Sequence, residues 1–137
     1  MTAKSPQPDA IAEAARRIAD LPGLEVERRD DAIEVAAPGP QGFPVALLRE
    51  DSGFVVHYGG WHERFGAWRD AVNAFVYGLR GDCRLRVKLR GETACRWTLE
   101  HRRDGSWVAE SAKSAVHLAF WQPRREVFLC NRSTDAR

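Results

Sequence analysis

Cys83-Arg84-Leu85-Arg86-Val87-Lys88-Leu89-Arg90 alternates apolar and basic residues, the two-residue period of a β-strand with one face in a core and the other in water. The segment after it, Ala94 to Arg102, reads as the second arm of a hairpin, with Cys95, Trp97, Leu99 and His101 on one parity. Opposed residues of an antiparallel pair share a face, so the two apolar sets meet only in an even register. With Gly91-Glu92-Thr93 as the loop, Leu89 is expected opposite Cys95, Val87 opposite Trp97, Leu85 opposite Leu99, and Cys83 opposite His101. The outer face then pairs Arg84 with Glu100, Arg86 with Thr98, Lys88 with Arg96, and Arg90 with Ala94. Like charges placed directly opposite cost tenths of a kcal/mol, about the scale of a surface ion pair. That cost is consistent with a surface kept for an acidic partner, or with cations guarding a sheet against aggregation.

Outward from this hairpin the chain reads as a mixed domain. Asp9 is placed to cap a helix to about Leu21, whose stripe is Ile11, Ala14, Ala15, Ile18 and Leu21 and whose stop is Pro22-Gly23. Strands are expected at 24–28, 32–36, 43–49 and 54–58, divided by turn residues. A second helix over 67–80 has Trp68, Ala71, Val72, Phe75, Val76 and Leu79 on one face, with Gly81 as its left-handed stop. Beyond the basic hairpin, strands are expected at 107–111 and as a hairpin of 116–121 with 126–130. The fold class is therefore α+β, antiparallel sheet with two helices in the order α-β4-α-β4(5), as a single compact domain. One continuous sheet and two smaller ones both satisfy this pattern. Residues 1–8 and 132–137 read as flexible tails around a domain at 9–131.

Charge is divided along the chain. Residues 1–79 hold 8 Lys+Arg against 12 Asp+Glu, and residues 80–137 hold 13 against 7, beneath a total of +2. The 18 Arg and 3 Lys match what a GC-rich bacterial genome would encode, so the position of the cations is more informative than their kind. The first residues lack the apolar core of a signal peptide, no run reaches the length of a membrane span, and a cytoplasmic protein is expected. Cys83, Cys95 and Cys130 have no paired spacing, which argues against a zinc knuckle or redox pair.

Candidate chemistry is sparse. The stretch 57–65 joins an expected strand to the second helix and gathers His57, Trp61, His62 and Glu63 around Gly59-Gly60, a candidate ligand site. The two histidines, five apart across a junction, lack a recognised zinc-ligand spacing. Cys83 opposite His101 has the elements of a nucleophile and base, yet no third group to orient them. No phosphate loop, hydrolase elbow or dinucleotide fingerprint occurs, and no catalytic residue, metal or cofactor is expected. Of the tryptophans, Trp107 and Trp121 lie at strand ends where an aromatic can anchor an interface. The residues point to a non-enzymatic binding protein that presents Arg84, Arg86, Lys88, Arg90, Arg96, Trp107 and Trp121 to an acidic protein, another copy of itself included. A nucleic-acid-binding domain is the alternative, and a small enzyme with its site at 57–65 the third reading.

Overall fold

The computed structural model describes residues 9–81, 83–114 and 124–131. Helix α1 (Ala10–Arg17) starts where expected: Asp9 Oδ1 accepts from Ile11 N at 3.0 Å and Ala12 N at 3.3 Å. The same oxygen receives Arg49 Nη2 at 2.9 Å, so the cap also ties the helix to the sheet. The helix ends a turn earlier than its apolar stripe suggests. Ala19 N and Leu21 N bond three residues back, to Arg16 O and Ile18 O, and Pro22 disfavours helical geometry at Leu21.

Five strands follow as an antiparallel meander: β1 (Val26–Arg28), β2 (Ala32–Val35), β3 (Val45–Glu50), β4 (Gly53–Tyr58) and β5 (Trp61–Phe65). The fifth corrects the expected order. Residues 57–65 are not a strand-to-helix junction but a hairpin, folded back at Gly59-Gly60 with Tyr58 opposite Trp61. Gly59 holds φ +57°, the left-handed backbone such a turn requires. Helix α2 (Trp68–Leu79) comes next and stops before Gly81, at φ +85°.

The second sheet holds β6 (Cys83–Arg90), β7 (Thr93–Arg103), β8 (Ser106–Ser114) and β9 (Arg124–Leu129), in the order β8-β7-β6-β9. The described residues therefore form two antiparallel sheets, and the α+β class holds. The 116–121 arm of the expected last hairpin and Trp121 lie outside the described residues.

The basic hairpin has the expected register from Cys83↔His101 to Lys88↔Arg96. Nearer the turn it differs. The turn has two residues, Gly91-Glu92, with Gly91 at φ +60°, and pairing slips by one so that Leu89 faces Ala94 and Arg90 faces Thr93. Cys95 is the extra residue of this bulge, its Sγ 3.4 Å from Lys88 O.

One apolar core joins both sheets. Ile33, Val35, Val45, Leu47, Val56, Tyr58 and Trp61 line one face of the first sheet beneath Ile11, Ala14, Val72, Phe75 and Val76 of the helices. Cys83, Leu85, Val87 and Leu99 bring the second sheet into the same cluster. Polar contacts fasten the seam. Asn131 Oδ1 accepts from Phe43 N at 2.7 Å and its Nδ2 donates to Gly78 O at 3.1 Å, while Trp61 Nε1 donates to Ser111 Oγ at 2.9 Å.

Candidate functional site

The outer face of the second sheet is built by strand parity. Arg84, Arg86, Lys88 and Arg90 alternate out of β6; pairing places Arg96, Thr98, Glu100 and Arg102 beside them on β7, and Phe128, Glu126 and Arg124 on β9. Trp107 joins the same face opposite Arg102, at the start of β8. Two of these residues, Trp107 and Phe128, bring aromatic rings that the hairpin positions alone do not contain. Two opposed pairs are of like charge, Lys88 with Arg96 and Arg90 with Arg124.

This face is a layered structure rather than a uniform coat of solvated cations. Glu100, only 5% exposed, lies beneath it. Arg84 Nε donates to Glu100 Oε1 at 2.6 Å, and Arg86 Nε lies 3.5 Å from Oε2. The carboxylate is thus held between two guanidinium groups, the condition under which a buried charge is tolerated. Arg84 in turn sits between two rings, 4.5 Å from the Trp107 centroid and 4.2 Å from that of Phe128. Arg102 covers Trp107 as well, at 5.1 Å. Cation–π contact contributes about 0.5–1 kcal/mol at exposed sites and more where water is removed. Lys88 reaches Glu126 only at 4.0 Å, and Phe128 is 46% exposed.

Arg84 therefore has an internal role that its place in the alternation did not reveal. Lys88, Arg96, Arg102 and Arg124 are exposed cations of the face, while Arg84, Arg86 and Arg90 are partly covered. Arg102 and Phe128 were missed from sequence. A cation on β7 and an aromatic on β9 carry no shared local pattern; only the strand order β8-β7-β6-β9 brings them onto one face.

The four residues of the other candidate site separate. Trp61 turns into the core, 2% exposed and stacked on Tyr58 with centroids 4.9 Å apart. Glu63 pairs with Val56 on that same side of the sheet but at an exposed position. His57 and His62 face the other way, directly opposed, with ring centroids 5.5 Å apart. Burial, then the adjacent His62, holds the His57 pKa below its ordinary value. Glu50 and Glu34 act in the opposite sense.

Cys83 and His101 are opposed as expected, but the imidazole is committed elsewhere. Tyr77 Oη lies 2.5 Å from Nδ1, and Glu110 Oε1 contacts Nε2. Glu110 is the residue left over where the β7–β8 register shifts between Leu99 and Glu100, which turns its carboxylate towards His101. The chain Tyr77–His101–Glu110 fastens α2 to the second sheet. No helix among the described residues is long and apolar enough to cross a membrane. Compared with known proteins, the chain matches no family model, and no curated protein or solved structure shows significant similarity to it.

Proposed function

We propose that the chain is a non-catalytic binding protein that recognises an acidic protein surface on the outer face of the β6–β9 sheet. The observation that carries this reading is the stack of Trp107, Arg84 and Phe128 over buried Glu100, with Lys88, Arg96 and Arg102 exposed around it. Glu100 and the two rings restrict Arg84, which lowers the entropy a partner carboxylate must overcome to engage this face. The exposed cations attract and orient an acidic partner, and the half-open ring of Phe128 supplies an apolar contact. Arg and aromatic side chains in this arrangement are the residue types that dominate interface energies.

Single-stranded nucleic acid is the second reading, supported by the presence of Trp107 and Phe128 among the cations, since base stacking on such rings is tolerant of sequence. One experiment separates the two. The variant Lys88→Glu/Arg96→Glu reverses two exposed cations and leaves Arg84 and Glu100 paired. Wild-type and variant chains are titrated by fluorescence anisotropy with a labelled poly-glutamate peptide and a labelled oligonucleotide. Binding of the peptide by the wild type, lost in the variant, supports the protein-partner reading. Binding of the oligonucleotide alone, falling log-linearly with salt, moves the assignment to nucleic acid. If neither probe binds, the face is a solvated one and the proposal is rejected.

A further inference from the structure

We propose that His57 and His62 form a two-point chelate for a divalent transition-metal cation on the outer face of the β1–β5 sheet. The hairpin creates the pair. Five residues apart in sequence, they are brought directly opposite by the Gly59-Gly60 turn, in the cross-strand position where side chains of one face are closest. Their ring centroids are 5.5 Å apart and their planes tilted by 34°. A metal ion bonded to one nitrogen of each ring at the usual 2.0–2.1 Å, with a tetrahedral angle between them, requires ring centres about 5 Å apart. The observed centroid separation of 5.5 Å is close to that value.

The surroundings suit a cation. Glu34 lines the same open groove as His57, and both Glu34 and Glu50 lie close enough to favour positive charge there, with Arg64 opposing. Among the described residues no third His, Cys, Asp or Glu completes a metal-binding cluster. The chelate therefore supplies two protein nitrogens and leaves the remaining positions to water. Imidazole nitrogens select ions of the Cu2+, Ni2+ and Zn2+ class, with Cu2+ bound most tightly.

The test is isothermal titration of the full chain, freed of metal by chelation and dialysis, with Cu2+, Ni2+ and Zn2+ salts in turn. The expected result is one equivalent of Cu2+ bound, weakened about tenfold or more by either His57→Asn or His62→Asn. Thermal melts in EDTA establish that each variant is folded. Should one fail to fold, substoichiometric Cu2+ added to the wild type must broaden the ring signals of both histidines together. Affinity unchanged in both variants, loss in one variant only, or broadening of a single ring overturns the chelate.

Discussion

Trp97 and Gly60 touch where the two sheets meet: a Cβ built on Gly60 would lie 2.2 Å from Trp97 Cε2. The β4–β5 turn is thus a seat for the indole of β7, and the glycine's lack of a side chain lets the sheets close. Gly60→Ala is expected to destabilise the fold by about 1–3 kcal/mol, because the ring must leave its rotamer or the turn must move. Urea denaturation followed by tryptophan fluorescence measures this; a loss below about 0.5 kcal/mol would show that the indole is free to shift.

Gly78 lies inside α2, where helix propensity alone predicts that alanine stabilises by about 1 kcal/mol. The Tyr58 ring reverses that sign. An added methyl would meet Tyr58 Cε1 at 2.4 Å, and Tyr58 is fixed by its hydroxyl donating to Ala74 O. We expect Gly78→Ala to lower stability by about 1–2 kcal/mol net, with a lower melting temperature as the readout. A raised melting temperature would mean that propensity outweighs the packing.

Asn131 bonds to Phe43 and Gly78 with both ends of its amide while 6% exposed. Asn131→Ala leaves a buried donor and a buried acceptor unpaired, at about 2 kcal/mol. Hydrogen exchange at the Phe43 amide should accelerate with it. Unchanged exchange would show that this bond does not protect the seam between the sheets.

Glu100→Ala removes the carboxylate around which Arg84 and Arg86 are organised. With Arg84 partly covered and the partner lost, a cost of about 2–3 kcal/mol is expected, below that of a fully buried pair. The companion Arg84→Lys retains the charge and loses the planar stacking between Trp107 and Phe128, for about 1 kcal/mol. Chemical denaturation of both gives the order: if Arg84→Lys proves the more damaging, the rings rather than the carboxylate hold the face together.

Burial holds the Tyr58 phenol well above its ordinary pKa of 10.0. The folded chain therefore keeps a proton there that the unfolded chain gives up. The resulting stabilisation is complete below pH 10 and declines as pH rises through the folded-state value. Tyr58→Phe should be less stable than wild type at neutral pH, through loss of the bond to Ala74, and the gap should narrow above pH 10. Parallel losses in the two proteins would place the alkaline sensitivity elsewhere.

Much of the fold was legible because it rests on local periodicity. Alternation from Cys83 to Lys88 determined strand, face and register of the basic hairpin, since the pleat and cross-strand pairing follow from residue parity. The stripe from Trp68 to Leu79 determined α2 in the same way, and Asp9 the start of α1. Strand β5 was missed because Glu63 occupies a position on the core-facing side and breaks the apolar alternation. Its identity comes from pairing with β4 through Gly59-Gly60, a hairpin signal that was read as the entry to a helix.

Tertiary structure decided what periodicity cannot encode: depth, and the neighbours contributed by other strands. Parity placed Arg84 and Glu100 on the outer face, but only the strand order β8-β7-β6-β9 brought Trp107 and Phe128 over them and buried the carboxylate. The same holds for His57 and His62, whose separation in sequence had no ligand spacing until a two-residue turn set them face to face. A side chain's periodicity is set by its own backbone. Its exposure, charge pairing and chemical company are set by its strand partners, across a local two-residue turn for His57 and His62 and from strands far along the chain for Arg84, Trp107 and Phe128.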